Sequence, residues 1–390
     1  MIVKDEEEVL YRCLSSVTGI TPDSAYKQNR TGVKRNDNPV EVSDAKTETS
    51  VDRSENPVDE IIVADTGSTD KTKQIAAKFG AKIYDYVWKN DFSAARNFAF
   101  AKASCDYILW LDADDFIDEI NRAKLLSLKK RLNETGAPAA FCRYETGGEG
   151  GAPCQTAFYR TRIVKNDGSA LWSGRVHECL PQFKNALCDT ENGFTVRHLG
   201  SSKPRGTRNL DIYRAQALAG EPFSPRDLFY YGRELFYHGF YTEADAIEEE
   251  FTRRDDGWYV NKIEARKIQS ACREKKGDTV GAKNALFASF LYGAPRAGVL
   301  CSLGRIYRNE SDFSSAYLWY LAAYHAEDHS AEGDFDDPAE RTVTPLLEMV
   351  YCAYRAGNET LSRKWHEECL RVCPDHPSVR YNREFFSSPS

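Results

Sequence analysis

No apolar run in this sequence approaches the roughly 18 residues needed to cross a bilayer as a helix. A membrane-spanning helix is therefore excluded as an expectation, and attachment to a membrane would be peripheral. Basic charge is also short. Lys and Arg total 52 against 59 Asp and Glu, giving a formal net charge of −7. A nucleic-acid partner needs a basic footprint that this chain does not carry. There is no secretory signal pattern, and the eleven cysteines, an odd number, show no paired metal-ligand spacing. That usage predicts a reducing, cytoplasmic setting with mostly buried free thiols. At 390 residues the chain is long enough for two domains, each with its own core.

What the sequence does have is a run from Asp106 to Asp115, DYILWLDADD. It begins apolar and ends in carboxylates. A short apolar run with polar flanks predicts a strand buried on both faces, as in parallel sheets. Ligands of open α/β sheets bind beyond the carboxyl ends of the strands, which is where these aspartates fall. Asp112 and Asp114 are two apart, so in an extended segment they point the same way and can hold a hard divalent ion. A solvated acidic loop is the alternative.

Before and after this run, strand and helix patterns alternate. Met1–Lys4 reads as a strand end. The acidic residues Asp5 to Glu8 suit a first helical turn, followed by Val9, Leu10, Cys13, Leu14 and Val17 at helical spacing. Residues 60–65 form a second strand, 71–79 a helix closed by Gly80, 81–88 a third strand and 91–102 a helix. Such alternation predicts right-handed parallel crossovers and a doubly wound sheet. Residues 18–57 interrupt it. They are polar and aperiodic, and about forty such residues cannot bury enough surface to offset their ordering entropy, so a mobile insertion is expected.

Four segments in order, MIVKDEE at 1–7, DEIIVADTGSTDKT at 59–72, DFSAARN at 91–97 and LDADD at 111–115, resemble the family 2 glycosyltransferases of GT-A fold. The closer resemblance is to the bacterial branch with tetratricopeptide-like repeats behind the catalytic domain, which includes the sublancin-type peptide S-glycosyltransferases. The resemblance implies a Rossmann-like nucleotide-sugar-binding domain. It also implies roles by position. Asp65 would accept a hydrogen bond from the base, with a turn-capping role as the alternative. Glu6 would lie in the first nucleotide loop, or act as a first-turn residue. Arg96 would approach the base or diphosphate, against a surface salt bridge. Asp112 would reach the ribose or metal, and Asp114 would bind the metal. Two departures from the family pattern, a first strand that starts late and the 18–57 insertion, both border the expected base pocket.

Strand patterns recur at 139–144 and 157–164, with the glycine-rich Gly147–Gly151 between them. No helix-and-lysine pattern follows those glycines, so a flexible hairpin or acceptor loop is expected rather than a phosphate loop. The segment WSGRVHE at 172–178 resembles the family stretch that supplies the general base. Inverting transfer needs one carboxylate on the acceptor side, and Glu178 is the candidate, with Trp172 lining the sugar site. His177 and Glu178 simply capping a strand is the alternative. By the same resemblance, His198 in VRHLG would fold back as a further metal ligand. A mixed Asp/His set suits Mn²⁺ somewhat better than Mg²⁺.

From about Pro204 the strand patterns stop. Gly304, Tyr307, Ala316, Tyr320 and Ala323 fit a tetratricopeptide pattern, and Gly232 and Ala244 repeat the glycine-to-alanine offset. Further helix pairs are expected at 258–291 and 345–372, with Pro374 closing the last. Such arrays hold extended peptides or another copy of themselves, or brace a neighbouring domain. The expected organisation is thus a GT-A domain at 1–205 and an all-α tetratricopeptide-like domain at 206–390. The expected activity is metal-dependent, inverting transfer of a hexose from a nucleotide-sugar, by preference a UDP-sugar. The acceptor would be a peptide, a glycan or a small molecule, with a peptide or protein side chain included. Homo-oligomerisation would run through the repeats. The alternative is a repeat-based binding scaffold with a degenerate, inactive catalytic domain.

Overall fold

The structure is a computed structural model that describes residues 1–20, 56–147, 154–190, 192–200, 206–329 and 337–387. Most of the 18–57 segment and the centre of the glycine-rich loop lie outside the described residues. The chain divides into two compact units, Met1–Pro204 and Arg205–Ser390. Each has its own apolar clusters.

The first unit opens with a parallel three-stranded sheet, β1 (Ile2–Val3), β2 (Ile62–Asp65) and β3 (Lys82–Asp85), in that order. Helices α1 (Leu10–Thr18) and α2 (Thr72–Lys78) follow β1 and β2. Val3, Leu10, Leu14, Val63, Ile75 and Ala76 close the core between them. The acidic run after β1 does something other than charge a first turn. Helix α1 starts at Leu10 with no acid in its first turn. Instead the backbone N–H groups of Asp5, Glu6 and Glu7 donate to Ser68 Oγ, Thr72 Oγ1 and Asp70 Oδ2 at 2.9, 2.7 and 3.0 Å. In return Asp5 Oδ1 accepts from Thr69 N at 2.7 Å and Glu7 Oε2 from Lys71 N at 3.0 Å. Two neighbouring turns thereby satisfy each other's backbone donors, which no helix or sheet ladder would reach.

Helix α3 (Phe92–Phe100) is capped by Asp91, whose side chain accepts from Ala94 N. It leads to β4 (Tyr107–Leu109). Here the structure corrects the parallel, fully buried strand expected at this point. All three β4 residues are only half-buried, and β4 pairs antiparallel with β7 (Cys154–Lys165), Leu109 opposite Ile163. The reason lies in the strand that arrives beside it. After β5 (Asp115–Phe116) and α4 (Glu119–Thr135), the chain builds a long antiparallel pair from β6 (Ala139–Gly147) and β7, which needs no helical crossover. With β8 (Leu187–Cys188) on β6, and β9 (Thr195–His198), the second sheet has six strands in the order β4-β7-β6-β9-β5. The first unit is therefore α/β with a mixed sheet.

The second unit is helical throughout its described residues. Helices α5 (Arg208–Leu218), α6 (Pro225–Tyr237), α7 (Tyr241–Arg253), α8 (Tyr259–Lys275) and α9 (Thr279–Ser289) come first. Helices α10 (Ala297–Asn309), α11 (Phe313–Tyr324), α12 (Val343–Arg355) and α13 (Glu359–Val372) continue the array. Helix α13 ends just before Pro374, as expected, and a further helix, α14 (Pro377–Ser387), follows. Gly304 of α10 sits against the Tyr320 ring of α11, where a Cβ would lie 2.9 Å from the ring. Gly232 of α6 sits likewise against the Glu248 side chain of α7. The alanines at the matching offset, Ala244 and Ala316, are fully buried. This is tetratricopeptide-like packing of paired helices.

Candidate active site

Arg96 is the pivot of the charged cluster beyond β4. It lies on the buried face of α3 with Ser93, Ala95 and Ala99. Its Nη2 donates to Asp112 Oδ1 at 2.7 Å and its Nε to Glu178 Oε1 at 2.5 Å. The surface salt bridge weighed for Arg96 is thus replaced by a buried two-carboxylate bridge. Burial alone would lower the Arg96 pKa, but Asp112 and Glu178 more than offset it and raise it. Burial would raise the Asp112 carboxyl, but Arg96, with Arg162 and Arg160 behind it, holds it well below the usual carboxylate range.

Glu178 reaches Arg96 because its loop is pinned to α3. Trp172 N donates to Asn97 Oδ1 at 2.8 Å, and Asn97 Nδ2 donates back to the Trp172 carbonyl at 3.0 Å. Phe92 N donates to the Arg175 carbonyl. Backbone bonds between Ser173 and Cys179 close the loop, with His177 in the left-handed region at φ 51°. Glu178 Oε2 has no hydrogen-bond partner among the described residues. Trp172 is 4% exposed. Its ring packs under the Arg96 guanidinium at 4.9 Å and edge-on to Trp110 at 4.9 Å, so it supports Arg96 rather than presenting an open face to a sugar.

Asp114, Asp115 and His198 form the cluster able to hold a metal ion, with ligand atoms all within 4.8 Å of one another. Strand register explains it: β5 pairs antiparallel with β9, placing Asp115 directly opposite His198. His198 Nδ1 lies 3.4 Å from Asp114 Oδ1 and 3.3 Å from Asp115 Oδ1. The Asp115 hydrogen bond raises the His198 pKa, and burial raises that of Asp114. The three members differ in availability. Asp115 is fully buried, its Oδ2 accepting from Arg162 Nη1 at 2.8 Å and Asp112 N at 2.9 Å, its Oδ1 from Tyr144 at 3.2 Å. It orients the loop. Asp114 and His198 retain exposed side-chain surface of 20% and 34% and fit a hard-to-borderline divalent ion.

Asp65 departs from the expected base contact. Its side chain has no exposed surface and accepts from Gly67 N and Ser68 N at 3.2 and 3.0 Å, with Lys73 Nζ at 3.5 Å. That is the turn-capping alternative. Glu6 is half-buried in the same interlocked turns, its carbonyl accepting from Val9 N and Leu10 N. The structure thus brings together Arg96, Asp112, Asp114, Trp172, Glu178 and His198. Asp65 and Glu6 belong to the neighbouring turn. Sequence reasoning placed Asp115 among the ligand-facing aspartates without a role of its own, and missed Trp110, Tyr144, Arg160 and Arg162. The available signal was Arg160 and Arg162, two cations at alternate positions of a strand. The apolar cavity of about 380 Å³ lined by Met1, Ile62, Tyr107 and Leu109 contains none of the site carboxylates.

Residues 45–175 match the family model described as glycosyl transferase family 2. Over that stretch the chain is similar to the family 2 glycosyl transferases. Over 213 residues it is 30% identical to a TPR repeat-containing protein of Synechococcus elongatus, covering 53% of this chain and 42% of that protein. The SPbeta prophage-derived glycosyltransferase SunS of Bacillus subtilis is 29% identical over 199 residues, 48% of this chain and 45% of SunS. The chain spans less than half the length of these curated relatives. Among solved structures, PilW, a type IV pilus biogenesis factor, is 16% identical over 45% of this chain and 73% of its own, at a TM-score of 0.36. No helix among the described residues is long and apolar enough to cross a membrane.

Proposed function

We propose that the first unit transfers a hexose from a nucleotide-sugar, by preference a UDP-sugar, to a hydroxyl or thiol acceptor with inversion at the anomeric carbon. The observation that carries this reading is the convergence of Asp112, Asp114, His198 and the Arg96–Glu178 pair beyond the carboxyl end of β4, with Arg96, Asp112 and Asp114 inside the stretch that matches the family 2 model and Glu178 and His198 just after it. Asp114 and His198 would hold Mn²⁺ or Mg²⁺, with Asp112 facing the ribose or the ion. When bound, the metal would supply positive charge to offset the charge developing on the leaving diphosphate. Arg96 fixes Glu178 through Oε1 and leaves Oε2 to take a proton. The acceptor O–H or S–H gives that proton to Glu178 as its oxygen or sulfur bonds to the anomeric carbon. The bond from that carbon to the diphosphate oxygen breaks, and the nucleoside diphosphate leaves. The acceptor is a peptide or protein side chain, a glycan or a small molecule, and the helical unit is a candidate for selecting it or for pairing two copies of the chain.

Purified protein incubated with a panel of nucleotide-sugars and Mn²⁺, with mass spectrometry of candidate acceptors, tests this. Asp114→Asn is expected to abolish turnover and metal-dependent donor binding while the circular dichroism spectrum stays unchanged. Full turnover by the wild type in excess chelator would remove the metal from the reading.

A further inference from the structure

Three guanidinium groups surround the Trp110 ring. Arg162 lies 4.0 Å from the ring centroid, Arg160 4.6 Å and Arg96 5.0 Å. Two of them are matched to carboxylates: Arg162 to Asp115, and Arg96 to Asp112 and Glu178. The third is not. Arg160 has no hydrogen-bond or ion-pair partner among the described residues, and its side chain rests on Trp110.

Its position is set by register. Leu109 of β4 pairs with Ile163 of β7, and Trp110 N donates to the Arg162 carbonyl. Continuing that antiparallel track brings Asp112 toward Arg160, whose charge acts on the Asp112 carboxyl. Although the β6–β7 register shifts at Arg162, Arg160 and Arg162 both lie against the Trp110 ring. Arg160 is half-buried. Burial, then the charges of Arg162 and Arg96, lower its pKa, although a guanidinium stays protonated regardless. The nearby Asp112 carboxylate opposes that shift but is itself bridged to Arg96, so a cation left without a hydrogen-bonded counter-ion of its own lowers its free energy by gaining an anion. Its planar fork of donors matches phosphoryl and carboxylate oxygens in particular.

We propose that Arg160 is the anion-holding residue of the donor pocket, donating hydrogen bonds to an anionic oxygen of the donor. That oxygen belongs to the diphosphate or to the carboxylate of an acidic sugar. The inference rests on the donor-pocket reading above and assigns a residue within it. Trp110 backs the guanidinium at 4.6 Å, and Arg162 already engages the Asp115 carboxylate.

Isothermal calorimetry on the full chain tests it, using Arg160→Met and Arg160→Lys. Methionine keeps a flexible apolar side chain against Trp110 without the charge, and lysine keeps the charge without the fork. The probes are inorganic pyrophosphate, UDP-glucose and UDP-glucuronate, each with and without Mn²⁺. Arg160→Met is expected to weaken binding by roughly 10- to 100-fold, the range of a charge-assisted hydrogen bond. Arg160→Lys is expected to fall between, with titration of Mn²⁺ alone unchanged. An equal loss for all three probes assigns the phosphoryl oxygens, and a loss confined to UDP-glucuronate assigns the sugar carboxylate. Wild-type affinity of Arg160→Met for all three overturns the proposal and leaves the donor-pocket reading standing. A wild-type protein that binds none of them overturns both.

Discussion

Arg96 links two residues that the chemistry would use for different tasks, Asp112 on the donor side and Glu178 on the acceptor side. Glu178→Gln removes the proton acceptor but keeps the shape, so donor binding should stay intact. Transfer to a hydroxyl acceptor is expected to slow by roughly 10²–10⁴-fold. Transfer to a thiol should lose less, because some thiolate already exists near neutral pH, and raising the pH should recover part of the loss. Wild-type transfer rates to a hydroxyl in this variant would move the search to His177, since Asp115 is buried with both oxygens engaged. A second glutamate makes a different prediction. Glu248 of α7 is fully buried, and neither oxygen has a hydrogen-bond partner among the described residues. Burial raises its pKa well above the usual value. The folded state therefore binds a proton that the unfolded state releases near pH 4.5. Stability should be unaffected below that point and fall as pH rises toward the raised folded value, by at most about 1.4 kcal/mol per pH unit. Glu248→Gln should flatten that slope in thermal melts of the helical signal between pH 5 and 8. An unchanged slope would assign the dependence to other groups.

At the scale of elements, helix pairs depend on small residues at their crossings. Gly304→Ala gains helix propensity worth about 0.5–1 kcal/mol but drives a methyl into the buried Tyr320 ring. The net expectation is destabilisation by about 1–2 kcal/mol, read as a lower urea midpoint with unchanged slope. Gain of stability would mean that Tyr320 swings aside freely. This glycine was legible in the sequence because its offset to Ala316 repeats at Gly232 and Ala244. So was α1, since Leu10, Cys13, Leu14 and Val17 define one face at period 3.6. Other features were not legible, for physical reasons. Whether Tyr107–Leu109 pairs parallel or antiparallel depends on which distant strand arrives beside it, and local composition does not carry that. Whether Asp65 faces a ligand or its own turn depends on carboxylate orientation, and the N–H groups of Gly67 and Ser68 capture it. The partnership of Asp115 with Arg162 crosses 47 residues and follows from β7 lying across β4, a relation absent from any single motif.

At the scale of the whole molecule, the two units rest on separate cores. Leu111, Leu128, Phe194 and Val196 anchor one cluster of the first unit, and Leu303, Val299 and Leu286 one cluster of the second. A unit with its own core can unfold by itself, so a single two-state transition is not the expectation. Urea unfolding should give two steps, visible both in tryptophan fluorescence, since each unit holds three of the six tryptophans, and in the far-ultraviolet helical signal. The site residues Arg96, Asp112, Asp114, Glu178 and His198 all precede position 205. Addition of Mn²⁺ with a nucleoside diphosphate should therefore raise the midpoint of the first step, by the linkage of binding to folding, and leave the second unmoved. A fragment of residues 1–205 that folds should keep donor binding, and a fragment of 206–390 should keep its helicity and bind no donor. A single transition in both probes, shifted as a whole by the ligand, would show one cooperative body and place the functional boundary elsewhere than near residue 205.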